Sequence, residues 1–187
     1  VAVQLFTSGT TGTPKAALLR HEHLVSYILG SVEFMGAMPE EATLVSVPPY
    51  HIAGISAVMS SIYACRRQVQ LANFDAETWV RLCKDEAVTN AFVVPTMLTR
   101  IIDVLDEQDD AQAAFPQLAA IAYGGGKMPV PVIERALRLL PDVSFTNAYG
   151  LTETSSTITL LDPNDHREAM SDTNLRQRLG SVGKALP

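Results

Sequence analysis

Cysteine, aromatic side chains and charge are all scarce in this chain of 187 residues. Its two cysteines, Cys65 and Cys83, sit in apolar segments without metal-ligand spacing. That excludes a disulfide framework and a zinc site. It reads as two buried free thiols in a reducing compartment, with a single bridge between them left open. Charged residues make up 18% against 47% hydrophobic, which excludes a disordered chain and leaves enough apolar surface for a core. Cations are the minority, with 14 Lys and Arg against 20 Asp and Glu, so a nucleic acid is not an expected partner. The longest apolar stretch, residues 52–64, is interrupted by Ser56, Ser60 and Ser61. It is too short to span a bilayer, so no transmembrane segment is expected. No secretory signal is visible, which points to the cytoplasm. No internal repeat and no initiator Met occur. The chain starts inside an apolar run and stops in a turn-rich segment, so residues 1–187 read as one partial domain.

What the chain does contain is an alternation of short apolar runs and amphipathic stretches. Strands are expected at residues 1–6, 16–19, 43–47, 68–71, 91–94, 118–123, 143–146 and 157–161. Helices are expected at residues 23–35, 54–64 and 130–140, the last with Pro131 in its first turn. Another starts at Asp75 as N-cap, with Phe74 and Trp79 stapled around it. Met97, Leu98, Ile101, Ile102 and Leu105 form one more amphipathic stripe. The polar stretch 162–178 reads as a long loop, and His166 within it as a side chain without partners. The fold class is therefore α/β, with mostly parallel sheets flanked by helices. Such sheets bind ligands beyond the carboxyl ends of their strands.

Four unusual loops occupy such positions. The first, Thr7-Ser8-Gly9-Thr10-Thr11-Gly12-Thr13-Pro14-Lys15, offers five hydroxyls, two glycines and one cation. That chemistry suits a polyphosphate, which needs many donors and little side-chain bulk. It is not a Walker A loop, because Gly12 is followed by Thr-Pro-Lys. In the second, Pro48-Pro49-Tyr50-His51, a rigid turn positions an imidazole. The third is a glycine triplet, Gly124-Gly125-Gly126, where something flat could lie on bare backbone. In the fourth, Asn147-Ala148-Tyr149-Gly150-Leu151-Thr152-Glu153, Tyr149 can stack on a base and Asn147 can pair with a purine edge. The Thr152 hydroxyl can hold a phosphate oxygen, and the Glu153 carboxylate can hold Mg²⁺. His21-Glu22-His23 lacks the spacing of a zinc helix and reads as a solvated helix start.

The first loop closely resembles the signature of the adenylate-forming superfamily, and Tyr149-Gly150-Leu151-Thr152-Glu153 matches that superfamily's Tyr-Gly-x-Thr-Glu motif. The His51 segment and the final Gly-Ser-x-Gly stretch are also similar, so the resemblance runs from about Leu5 to the last residue. It is most like that to the acyl-CoA synthetases. The resemblance implies the central part of the large N-terminal domain of an adenylate-forming enzyme, with the preceding N-terminal part and a small C-terminal domain absent. By the same resemblance, Thr7, Ser8, Gly9, Thr10, Thr11, Gly12 and Lys15 hold phosphates. Gly124, Gly125, Gly126, Asn147, Ala148, Tyr149, Gly150 and Thr152 hold the nucleotide, and Glu153 holds the metal. His51, Ile52, Gly54 and Ile55, with Gly124, Gly125 and Ala148, line the acyl site. His51, Lys15, Thr152 and Glu153 carry the catalytic roles. Ala16 stands where the family often has Gly.

The implied reaction is attack of a carboxylate on the α-phosphate of ATP, giving an acyl-adenylate and pyrophosphate, then a thioester with CoA. The expected cofactors and partners are ATP, Mg²⁺, CoA and a fatty or aromatic carboxylic acid. Family residues beyond this segment (a ribose-gripping Asp, a hinge Arg and a C-terminal Lys) have no counterpart here, so little activity is expected of the segment alone. Two alternatives stay open: loading of a carrier-protein thiol, and a non-catalytic nucleotide-binding module.

Overall fold

The computed structural model describes residues 1–7, 14–107 and 115–186. Residues 8–13, most of the first loop, and most of the acidic stretch 107–112 lie outside the described residues.

Two strands, β1 (Val3–Thr7) and β2 (Lys15–Leu19), pair antiparallel as a separate two-stranded sheet, with Thr7 opposite Lys15. The first loop thus joins the two strands of a hairpin instead of leaving the main sheet. Helix α1 (His21–Ser31) follows, with His21 and His23 exposed at its start as expected. The main sheet has seven strands, introduced in chain order as β3 (Ala42–Val45), β4 (Arg67–Gln70), β5 (Asn90–Val93), β6 (Ala120–Gly124), β7 (Ser144–Leu151), β8 (Ser156–Leu161) and β9 (Lys184–Ala185). Their spatial order is β4-β3-β5-β6-β7-β8-β9. The first five run parallel, and β8 and β9 are antiparallel additions. The connecting helices are α2 (Ile52–Tyr63), α3 (Ala76–Asp85), α4 (Pro95–Asp106) and α5 (Val130–Leu139). The mostly parallel α/β sheet flanked by helices is therefore as the alternation predicts.

Helix starts follow local chemistry. The Asp75 side chain accepts from the Thr78 backbone N–H at 2.9 Å, the expected cap. Trp79 behind it is fully buried and meets Phe115 edge-on. Pro95 opens α4, where its missing N–H costs nothing.

The two faces of the sheet differ. Ile121 and Tyr123 of β6 and Phe145 of β7 pack in the main core with Trp79, Leu98, Ile101 and Ile133 of α3, α4 and α5. The alternate residues Ala122, Thr146 and Ala148 look the other way, toward α1 and α2. On that side Leu5, Leu19 and Leu24 form a smaller cluster with Ile52, Ile55 and Met59. Helix α2 is half-buried instead of enclosed, because it roofs a cavity. Of the cysteines, Cys83 is buried and burial pushes its thiol pKa up, while Cys65 is exposed; both are free.

The stretch expected to be a loop after residue 162 is helix α6 (Pro163–Ser171), followed by a 3-10 turn at Arg176–Gly180. Asp162 caps α6 by accepting from the Asp165 N–H at 2.8 Å. The helix was illegible because its one buried patch is small and partly polar. His166, fully buried, carries much of it. Its Nδ1 lies 2.7 Å from the Asp162 carbonyl, an acceptor, so Nδ1 bears the proton. Nε2 then accepts from the Tyr123 hydroxyl at 2.8 Å. Burial holds the imidazole below its usual pKa and raises that of the phenol.

The strand expected to end at residue 146 continues to Leu151. What reads as a polar loop is extended backbone paired with β8, with a register shift between Tyr149 and Gly150. Added at Gly150, a Cβ would stand 1.8 Å from the Ser156 carbonyl oxygen, so only glycine allows this approach.

Two outcomes follow from these contacts. Because the folded value of His166 lies below the unfolded one of 6.5, the unfolded chain takes up the proton first as pH falls. The buried histidine therefore costs the fold nothing above that pH, and stability declines below it by up to ~1.4 kcal/mol per pH unit. The carboxylates with depressed values, such as Glu41 and Glu134, act only below 4.5. Thermal melts between pH 7 and 5 should show this decline, and His166→Gln should flatten it. Gly150→Ala should lower stability by roughly 1–3 kcal/mol in a denaturant titration, since strand β8 must move.

Candidate active site

The alternation along β7 sorts its residues between two cavities. Thr146, Ala148 and Gly150 border a cavity of about 580 Å³ roofed by α1 and α2. Asn147, Tyr149 and Leu151 border a second, of about 450 Å³, together with Gly124, Gly125, Gly126 and Met128. Gly125, Ala148 and Gly150 belong to both walls. The cavities therefore adjoin across backbone with almost no side-chain bulk. A Cβ on Gly124 would stand 2.2 Å from the Ala148 carbonyl oxygen, so β6 and β7 also close up here because of a glycine. Gly125, at φ 75°, turns the chain out of β6 in a conformation that favours glycine.

Beyond Leu151 the chain enters a 3-10 turn, Thr152–Thr154. The Thr154 hydroxyl accepts from the Leu151 N–H at 2.8 Å and lies 2.8 Å from the Ser156 carbonyl. Ser155 (φ 61°) and Ser156 (φ 121°) reverse the chain in left-handed conformations unusual for serine. The turn holds Glu153 exposed, facing the hairpin. The Thr7 hydroxyl lies 3.3 Å from Glu153 Oε1 and 3.5 Å from the Lys15 carbonyl. The start and end of the first loop thus meet the end of β7, across 146 positions of sequence. Lys15 is exposed. Ser8, Gly9, Thr10, Thr11 and Gly12 lie outside the described residues.

Asn147 is buried, and its amide nitrogen donates to the Ser181 carbonyl at 2.9 Å. Its Oδ1 and its second amide hydrogen remain for a ligand on the wall of the second cavity. Tyr149 is 41% exposed on the same wall. Leu179, Gly180, Ser181 and Val182 close the opposite side. Sequence reading noted the Gly-Ser-x-Gly stretch here but assigned it no site residue. Gly183, at φ 74°, lies so close to the Leu160 carbonyl that a Cβ would clash, which seats this segment on β8. Ion pairs fasten it further: Arg176 to Glu134 with one contact of 2.6 Å, and Arg178 to Glu168 at 2.9 Å and to Asp165 at 3.2 Å.

His51 is the N-cap residue of α2, exposed, its ring tilted against Tyr50 at 4.8 Å. Helical periodicity then divides the residues that follow. Ile52, Ala53, Ser56, Ala57 and Ser60 border the larger cavity. Gly54 and Ile55 face elsewhere, which corrects their expected place in the acyl wall. Gly54 packs on the backbone of Val47 and Pro48, and Ile55 joins the cluster around Leu5, Leu19 and Leu24. At 3.6 residues per turn, Ile52, Ala53, Ser56, Ala57 and Ser60 fall on one side of α2, and Gly54 and Ile55 fall outside it. Sequence reading missed Tyr27, Phe92 and Thr157, which reach the cavity from α1, β5 and β8.

A cation here would have Glu153 as its protein ligand. Among the described residues no cluster of three or more His, Cys, Asp or Glu could hold a metal. An exposed single carboxylate beside a phosphate-type loop suits Mg²⁺, which keeps its waters and shares itself with substrate phosphates. No described helix is long and apolar enough to cross a membrane.

Comparison with known proteins agrees with this layout. The chain is 34% identical over 186 residues to a 2-succinylbenzoate–CoA ligase of Bacillus licheniformis, covering 99% of the chain and 35% of that protein. It is 33% identical over 167 residues to the fatty acid–[acyl-carrier-protein] ligase ScoC of Streptomyces coeruleorubidus, covering 87% of the chain and 31% of that protein. In structure it resembles the O-succinylbenzoate coenzyme A synthetase (MenE) of Bacillus subtilis, solved in complex with ATP and magnesium ion. The TM-score is 0.78 at 28% identity, over 98% of this chain and 35% of that one. The same synthetase, also solved with the acyl-adenylate intermediate OSB-AMP, matches equally well. The chain thus spans about a third of the length of the relatives it matches. The family of AMP-binding enzymes matches it over residues 1–187, and with its paired cavities and its Tyr-Gly-Leu-Thr-Glu strand end the chain belongs to that family.

Proposed function

We propose that the protein containing this chain activates a carboxylic acid with ATP and passes the acyl group to CoA. The observation that carries this reading is the pair of cavities sharing the wall of Gly125, Ala148 and Gly150. One is bordered by a buried amide, an exposed tyrosine and glycine backbone, as a nucleotide requires. The other is mostly apolar and bordered by α2, as an acyl group requires. Bare backbone between them lets a carboxylate and an α-phosphate come within reacting distance. The 2-succinylbenzoate–CoA ligases among the relatives support the same chemistry. On this reading, residues 1–187 are the nucleotide-binding core of a larger domain that acts in the cytoplasm.

In the first step a carboxylate oxygen attacks the α-phosphorus. The bond to the bridging oxygen breaks, and pyrophosphate leaves with that electron pair. Two anions must meet, so charge neutralisation dominates the barrier. Thr7, Ser8, Gly9, Thr10, Thr11, Gly12 and Lys15 would cradle the β- and γ-phosphates. The Thr152 hydroxyl would hold an α-phosphate oxygen. Asn147 Oδ1 would accept from the adenine amine, and Tyr149 would stack on the ring. Glu153 would hold Mg²⁺, which supplies charge compensation at the phosphates when bound. His51, at the start of the acyl-side helix, would stand near the reacting carboxylate. In the second step a CoA thiol attacks the acyl carbon and AMP departs. The relative ScoC favours one variant, in which the acceptor is a carrier-protein thiol.

Acid-dependent ATP–pyrophosphate exchange by the full-length protein tests the first step, and thioester formation with and without CoA tests the second. Exchange is expected with at least one acid, with thioester forming only when CoA is present. Glu153→Gln should lower exchange ~100-fold or more, because it removes the carboxylate that would hold Mg²⁺ at the phosphates. MgATP binding without exchange by any acid would instead favour a nucleotide-binding module.

A further inference from the structure

The larger cavity differs from its neighbour in one chemical respect. The nucleotide-side wall includes a cation, Lys127, whereas among the described residues no charged side chain borders the acyl-side cavity. Its polar side chains all bear hydroxyls: Tyr27, three serines of α1 and α2, Ser156 and two threonines. Ser31 already donates to the Tyr27 carbonyl at 2.5 Å. Ser56 differs, being only 6% exposed with a hydroxyl that has no hydrogen-bond partner. Phe92 and Leu160 supply apolar area. At about 580 Å³ the space lies within the usual range for a drug-sized ligand.

Resting on the adenylation reading above, we propose that the acid taken here has a single carboxylate, the reacting one, and a bulky uncharged tail. The tail is aryl or medium-chain alkyl, with at most a neutral polar atom such as a ketone. A second carboxylate buried in this wall would lose its water and meet only hydroxyls. Uncompensated burial of a charge is the most heavily penalised event in such a site. A neutral carbonyl, by contrast, carries no charge to desolvate and can accept from a hydroxyl of the wall. This separates the chain from its relatives named for 2-succinylbenzoate, a dicarboxylate, although about a third of its aligned residues are identical to theirs.

The test uses the full-length protein and two matched pairs of acids. One pair is 4-oxo-4-phenylbutanoate and 2-succinylbenzoate, which differ only by the carboxylate on the ring. The other is nonanoate and nonanedioate. In ATP–pyrophosphate exchange, kcat/KM for the better monocarboxylate should exceed that of its partner by ~100-fold or more. Equal rates, or a preference for the dicarboxylate, overturn the proposal. Ser60→Arg, which adds a cation to the wall, should shift the ratio at least ~10-fold toward the dicarboxylate; an unmoved ratio counts against the proposal. If no acid supports exchange, the adenylation reading fails, and the pocket is judged by thermal melts with each acid present. A melting shift with the monocarboxylate alone upholds the neutral tail. No shift, or an equal shift with both, rejects it.

Discussion

The inequality between the two faces of β6 and β7 is the constraint on which the rest depends. On one face Ile121, Tyr123 and Phe145 fill the core beneath α3, α4 and α5. On the other, Ala122, Thr146, Ala148 and Gly150 are too small to fill the space below α1 and α2, and a cavity remains. Strand period sets this division: slipping either strand by one residue would bury the small face and push the large one into the binding space. Core and site are therefore two consequences of a single alternation, and neither could be altered independently. Fully burying the aromatic and branched side chains contributes on the order of 1.5–3 kcal/mol each, which leaves the sheet rigid enough to present an open, sparsely filled face.

Closure of the nucleotide side depends on a different set of contacts. The segment after β8 folds back over β7 and is fastened at several places. His166 hydrogen-bonds to Tyr123, Arg176 pairs with Glu134, and Asn147 reaches Ser181. Most of these are polar, and several bridge elements far apart in the chain. The Asn147 contact has a chemical consequence as well as a mechanical one. One amide hydrogen is engaged by a carbonyl, so the orientation of this side chain is set by backbone 34 positions away, and its oxygen and second hydrogen are left to the cavity.

The chemistry proposed for this family member brings anion to anion beside a chain whose own net charge is −6. Overall charge gives such a site no help, so compensation has to be local. On the proposed reading, the hydroxyls and N–H groups of the first loop, Lys15 and a cation held by Glu153 would supply it. The contact between Thr7 and Glu153 is where these donors meet the strand that bears the nucleotide-side residues. An acyl-side cavity with no charge on its described wall then keeps the dielectric low beside the reacting groups, which strengthens every donor aimed at them.

Local sequence was sufficient for the α/β class, the existence of nearly every strand and helix, the Asp75 cap and the glycine triplet and Asn147–Leu151 segment that border the cavities. Each rests on a short-range cause: apolar period, capping geometry, or glycine and proline conformational limits. Three features were decided only by tertiary structure. Strand β7 runs through Asn147–Leu151 because β8 pairs with it, although its polar and glycine residues lack a strand's usual composition. Helix α6 exists because His166 finds a buried tyrosine, and a lone histidine in a polar run carries no periodic signal. The assignment of Ile52 to the cavity and of Gly54 and Ile55 to packing followed from the rotation of α2 against the sheet. Sequence could name the loops, because their chemistry is local. Which atoms face which cavity depended on how distant elements pair and pack, and that orientation is a property of the assembled fold.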